Sequence, residues 1–339
     1  MPEGTRPEAL QAKPTLKTIS ALTGLAVPTV SRALNDAPDI GAETKERVRR
    51  IAAEIGYVPN RAGVRLRTGR TNVISLVMST EHEQMTHTAR LISSLAGALR
   101  GTPFHLIMTP YFPDEDPMKP IRYIVENRSA DALVFNQIKP EDERVAFLLD
   151  RGFPFATHGR TIWSDRHGWA DYDNAAYGRL AIRALVERGR RNVVLIAPPR
   201  DQTYAQAMIE GFLAAAAEAG IRATLLDEAS SDEDQDKVGL AVAARLAADP
   251  TIDGLASGST KAAMAAVAGM EAEGFDVGTD VDIVAKEAFP ILKAFRSRIL
   301  VVTENVRETG DFLAQAAIRA IRFPGEPPLH HLEVPTEFA

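Results

Sequence analysis

Apolar positions near the start of the chain repeat at helical spacing, stop, and start again. Leu16, Ile19 and Leu22 form one stripe, Gly24 interrupts it, and Val30, Ala33 and Leu34 begin a second. The pattern predicts two short helices joined by a tight turn. Val48, Ile51, Ala52 and Ile55 make a third face, with Gly56 where a left-handed helix terminus would fall. Three such helices close a small core, and the first two have the helix-turn-helix shape. The second helix leaves Pro28, Thr29, Ser31, Arg32 and Asn35 outward, a face able to enter a major groove.

From residue 72 onward the pattern changes to short β-rich runs alternating with helical ones. NVISLVM, a helix near Met85–Leu99, FHLIMT, a helix near Met118–Asn127, ALVFN, a helix near Glu141–Arg151 and PFATHG come first. After a connector over 160–171 the alternation restarts with a helix near Asn174–Arg188, then NVVLIAP, ATLLD, GLASG and DIVAK separated by helices. Strand alternating with helix means parallel sheets covered on both faces. Two such units in succession suggest two lobes. ILVVTEN, a helix near Val306–Ile321 and the tail LEVPTEF follow.

Composition narrows the picture. With 339 residues and 45% apolar content, two or three domains are expected. No apolar run is long enough to cross a bilayer, the N-terminus has no apolar signal core, and there is no Cys, hence no disulfide framework. A cytoplasmic home is expected. The net charge of −6 would argue against nucleic acid if it were uniform. It is not: residues 1–70 carry 12 Lys/Arg against 7 Asp/Glu, and the remainder 27 against 38. Positive charge sits on the helical head, and the acidic body discourages DNA binding by any other surface.

The residues TLKTISALTGLAVPTVSRALN, then RVRRIAAEIGYVPN, then RLRTGRT resemble the head of the lac repressor family of bacterial transcription regulators. The resemblance implies an all-α helix-turn-helix head, residues 1–58, a hinge over 59–70, and a two-lobed α/β effector domain of the periplasmic-binding-protein-like type over 71–339. The first lobe would take about 71–160 and 300–322, the second about 161–299 and 323–339. It implies base-reading positions at Val27, Pro28 and Arg32, phosphate contacts from Thr29 and Ser31, and a hinge helix from Asn60 whose Leu66 wedges into the minor groove. Such a chain binds a near-palindromic operator as a homodimer and takes a small-molecule effector, a carbohydrate by resemblance, with no cofactor. Ala26 stands where the family has a capping serine, a loss of about 1 kcal/mol. Pro28 moves readout toward apolar contact and shape.

Ligands of parallel sheets lie at the carboxyl ends of the strands. That singles out Ser79 and Glu81 after the first strand, Arg160 after PFATHG, Arg200 and Tyr204 after NVVLIAP, Ser259 after GLASG and Glu287 after DIVAK. By resemblance, HGR followed by WADYDNAAYG carries an effector-binding arginine and an Asp-Asn pair at the crossover between lobes. Arg160 could grip adjacent hydroxyls with its planar fork or close the lobes as a salt bridge. Trp163 and Trp169 could stack on a sugar or pack inside a lobe. The chain departs from the family's pattern at Met208, Gly159 and Gly258-Ser259.

Other chemistry is weak. His82 and His87, five apart, lie about 140° from each other on a helix, too far for one metal. Asp232, Asp234 and Asp236 start like a calcium loop, but Lys237 and Ala243 stand where its Gly and Glu must be. No Walker loop, GxGxxG after the first strand or GxSxG elbow is present. A regulator with a sensor is expected over a non-regulatory enzyme, which lacks a constellation, and over a solute-binding protein, which needs no basic head.

Overall fold

The computed structural model describes residues 13–58, 63, 65, 69–80, 85–336 and 338. Asn60, Leu66 and Glu81 lie outside the described residues. The chain divides into two units, Met1–Thr71 and Asn72–Ala339.

The head holds three helices, α1 (Leu16–Thr23), α2 (Val27–Leu34) and α3 (Ala42–Glu54). Thr15 and Thr18 cap α1 reciprocally, each side-chain oxygen accepting from the other's backbone N–H at 3.4 and 3.1 Å. Gly24 ends α1 at φ 70°, which a residue with a Cβ adopts at a cost. Ile19, Val30, Ala33, Val48 and Ala52 form the core. Leu22, expected on the inner stripe, is 55% exposed; Thr23 takes the buried position and donates to the Ile19 carbonyl at 2.7 Å. Arg47 on α3 reaches the Thr23 carbonyl at 2.8 Å, satisfying an acceptor that the end of α1 leaves open.

The second unit contains two wholly parallel sheets. The first has the order β11-β5-β4-β3-β1-β2 and the second β10-β9-β8-β6-β7. In the first sheet β1 is Val73–Ser79, β2 His105–Tyr111, β3 Ala132–Phe135, β4 Phe155–His158, β5 Gly168–Tyr172 and β11 His330–Glu333. In the second, β6 is Asn192–Ile196, β7 Arg222–Leu225, β8 Gly254–Ser257, β9 Asp282–Glu287 and β10 Leu300–Thr303. Central strands such as β3 and β6 are buried along their whole length, as continuous apolar runs require when helices cover both faces.

The lobe boundaries differ from the expected ones. Gly168–Tyr172 and His330–Glu333, both expected in the second lobe, are neighbouring strands of the first sheet. Only four or five residues long and interrupted by His, Asp and Glu, they lack the apolar run that marked the other strands. The chain crosses from β5 into α7 (Asn174–Glu187) and returns from β10 into α12 (Val306–Arg322), which packs on the first lobe's core. Phe338 packs against the second lobe's core, a third crossing. In the second lobe α7 and α8 (Thr203–Ala219) approach at Gly178 and Gly211, where a Cβ on Gly211 would run into the Ala175 backbone.

Candidate functional site

The exposed face of α2 is the head's candidate DNA-reading surface. Pro28, Arg32 and Asn35 are exposed, and Val27, Thr29 and Ser31 half-buried. Ala26 makes no side-chain cap bond. Pro28 sits in the first turn, where no intrahelical N–H is required, so α2 tolerates it. Asn35 donates to the Ser31 carbonyl at 2.6 Å, and Arg32 forms an ion pair with Asp39 on the following loop. Arg32 must leave or share that partner to meet a base.

The sensor's candidate site is a cavity of about 350 Å³ lined by both lobes and by the segments that cross between them. From the first lobe come His87 on α4 (Met85–Ala98), Asn136 and Gln137 after β3, and His158 and Gly159 at the end of β4. The crossing segments bring Asp171, Tyr172, Asn174 and Glu304. Pro198, Tyr204, Asp232, Ser259, Met264, Lys286, Phe289 and Ile291 line it from the second lobe. Most lie at or just beyond the carboxyl ends of strands, where parallel sheets place their ligands. Gln137 has a left-handed backbone, φ 56°, a conformation uncommon outside glycine and concentrated at functional sites.

Buried charge organises one wall. Glu304 is 5% exposed. Its Oε2 accepts from Lys286 at 2.9 Å and its Oε1 stands 3.1 Å from His87 Nε2 and 3.7 Å from His158 Nε2. Burial pushes the Glu304 carboxyl up, yet Lys286 and then His87 outweigh it and hold it well below the usual range. Burial, with His87 and Lys286 nearby, lowers His158 to about 4 against the pull of Glu304, so this imidazole is neutral at pH 7. Lys286 Nζ also donates to Asn174 Oδ1 at 3.3 Å and lies 4.9 Å from the centre of the Tyr172 ring. Opposite charges are thus already matched inside the cavity. Carboxylate, ammonium and amide groups stand beside apolar Met264, Phe289 and Ile291, a lining suited to a ligand with a hydroxylated edge and a C–H face.

Of the expected effector residues, the structure brings Tyr204 and Ser259 to the cavity. Tyr204 donates to Asp232 at 3.2 Å; burial, reinforced by Asp232, raises its hydroxyl well above the usual range. Ser259 caps α10 (Thr260–Ala272) and donates to the Ser231 carbonyl at 3.1 Å. Ser79, Arg160, Arg200 and Glu287 are not among the lining residues. Arg160 donates to Asp171 at 2.7 Å with its guanidinium over the Trp169 ring, which leaves Asp171 as the group at the cavity. Arg200 pairs with Asp227. Glu287 is buried and accepts from the Ile291 and Leu292 backbones at 2.6 Å each, fixing the turn that carries Ile291 to the cavity. The tryptophans pack within the first lobe: Trp163 against its core and Trp169 stacked on His330 at 4.9 Å. Sequence reasoning missed His87, His158, Lys286 and Glu304 as a group, since they are scattered along the chain. Asn174 was visible as part of the crossover pair, whose other member, Asp173, caps α7 by accepting from Ala176 at 2.8 Å.

A two-lobed binding domain behind a helix-turn-helix head defines a ligand-sensing DNA-binding protein. Residues 15–60 match the bacterial regulatory proteins of the lacI family, and residues 74–309 match the periplasmic binding proteins and sugar binding domain of the LacI family. The chain is 30% identical over 325 residues to the HTH-type transcriptional regulator AglR of Rhizobium meliloti (strain 1021), covering 94% of this chain and 90% of that protein. It is 27% identical over 277 residues to CelR of Thermobifida fusca, 80% of this chain and 81% of that one. Among solved structures, a lac repressor dimer bound to operator and an anti-inducer superposes with a TM-score of 0.81 at 15% identity, and a CelR–cellobiose complex with 0.70 at 23%. Each alignment covers 96% of this chain and 98% of the other. The chain belongs to the lacI family of bacterial regulatory proteins, and is a sequence-specific DNA-binding transcriptional regulator whose sensor is a periplasmic-binding-protein-like domain.

Proposed function

We propose that the chain is a homodimeric repressor, acting in the cytoplasm, whose operator affinity falls when a neutral sugar occupies the cavity between the lobes. The observation that carries the sugar reading is the cavity lining itself, where a matched Lys286–Glu304 pair and Asn174 stand beside apolar side chains. Cellobiose in the CelR complex supports including disaccharides. We place base reading on Val27, Pro28 and Arg32, phosphate contacts on Thr29 and Ser31, and Asn35 at the edge of that face. The hinge over 59–70, with Asn60 and Leu66, would complete the DNA contact by pairing two chains over the minor groove.

A dimer is supported by the edge strand β2, which leaves Ile107 45% and Met108 52% exposed, with Phe112 and Tyr123 exposed nearby. A symmetric pair of heads reads a near-palindromic site, and covering such an edge removes a liability. The ligand acts by favouring the lobe angle at which both sides reach it. The function needs no catalysis. A thermal-shift screen of mono- and disaccharides on the full chain tests the reading. A stabilising sugar whose effect is lost in Lys286→Ala is expected; one whose effect survives unchanged would mean it binds elsewhere.

A further inference from the structure

We propose that His87, His158 and Glu304 form a binding site for a divalent transition-metal ion of the zinc type, on the wall of the cavity where the lobes meet. The proposal goes beyond sugar sensing and does not depend on it. Among the described residues, these three are the group of metal-ligating side chains whose ligand atoms converge, all within 4.8 Å of one another. In a tetrahedral zinc site with bonds of about 2.0–2.1 Å, ligand atoms stand roughly 3.3–3.5 Å apart. The spacings from Glu304 Oε1 to His87 Nε2 and His158 Nε2, 3.1 and 3.7 Å, bracket that range.

The surroundings fit the same assignment. Lys286 occupies the other oxygen of Glu304 at 2.9 Å, which leaves Oε1 to act as a single-oxygen ligand and fixes the carboxylate from behind, as partners of metal ligands do. Among the described residues the ring nitrogens of His158 make no hydrogen bond within 3.5 Å, and its Nε2 stands 3.7 Å from Glu304 Oε1. An imidazole nitrogen that no hydrogen bond occupies keeps its lone pair available to a metal. Two imidazoles and one carboxylate are the donor set of zinc sites that keep a fourth position open, and all three side chains line the cavity. The open position therefore faces the space a ligand would fill. His87 is on α4 and His158 ends β4, both in the first lobe, whereas Glu304 lies on the segment returning from the second. A bound ion would fasten that segment to the first lobe.

The test uses the full chain, freed of metal by chelation, with Co²⁺ as a spectroscopic probe and Zn²⁺ as its competitor. One Co²⁺ per chain with the visible band of tetrahedral coordination, displaced by Zn²⁺, is expected. His87→Ala and His158→Ala should each weaken Zn²⁺ binding by about a hundredfold, at least as much as the loss of an outer-shell partner. His105→Ala, an exposed histidine on β2, should leave it unchanged. Should His158→Ala not fold, His87→Ala, whose ring is partly exposed, carries the test. Absence of Co²⁺ and Zn²⁺ binding by the native chain, or equal binding by His87→Ala, would overturn the proposal. Operator gel shifts on the same metal-free chain report the regulator function separately.

Discussion

The head and the sensor differ in where their candidate functional groups stand: on an exposed helix face in one, along an inner cavity wall in the other. In the head, Pro28, Arg32 and Asn35 lie on the outside of α2 while Ile19, Val30, Ala33, Val48 and Ala52 hold the helices together. The candidate DNA-reading residues are thus not the ones that form the core. In the sensor, Glu304 is at once a buried charge, the partner of Lys286 and a wall of the cavity. Removing such a group changes the fold and the site together, because Lys286 then loses its partner in a site largely shielded from water. The surface of the head can therefore diverge in operator choice at small cost in stability, while the sensor must change its ligand through coordinated replacements.

The largest expected effect is on the sensor. Glu304→Ala leaves the half-buried Lys286 without its carboxylate and should lower stability by about 3–5 kcal/mol, read as a fall in the melting temperature of the full chain. An unchanged melting temperature would mean that the cavity wall is not part of the sensor's frame. Next comes Gly211→Ala, which forces α7 and α8 apart at the Ala175 backbone and should cost about 1–3 kcal/mol. Denaturant unfolding measures it, and a neutral result would show that the helices adjust freely.

The head should behave in the reverse manner. Arg32→Ala should weaken specific operator binding by about 1–3 kcal/mol if it reads a base, while the melting temperature stays within a degree or two. A matching loss of stability would erase the contrast between the two regions. The smallest effect is a gain: Ala26→Ser supplies the missing cap of α2 and should stabilise the head by about 1 kcal/mol, seen as slower amide exchange along α2. No slowing would mean that the backbone at residue 26 does not present a side chain to the helix end.

The same contrast explains what could be read from the residues alone. The head is local: stripes three and four apart, Gly24 and Gly56 give its helices and turns, and Leu22 was misplaced because Thr23 is buried there instead, its hydroxyl bonding within the helix. The two-lobed alternation was equally legible. β5 and β11 were not, since their pairing depends on segments far apart in sequence. Arg160 and Glu287 were rightly placed beside strand ends, but loop position does not say which way a side chain turns. Arg160 turns to Asp171 and Glu287 to the backbone of its own loop. The cluster of His87, His158, Lys286 and Glu304 exists only after both sheets have formed.

Coupling between the two regions is the central claim, and reciprocity makes it measurable. Operator affinity of the full chain should be titrated by fluorescence anisotropy with and without a sugar that raises its melting temperature, and sugar affinity measured with and without operator. The two affinities should fall by the same factor, about 5–150-fold for typical coupling. A sugar that binds in the cavity, loses its effect in Lys286→Ala and yet leaves operator affinity unchanged would contradict sensing by this domain.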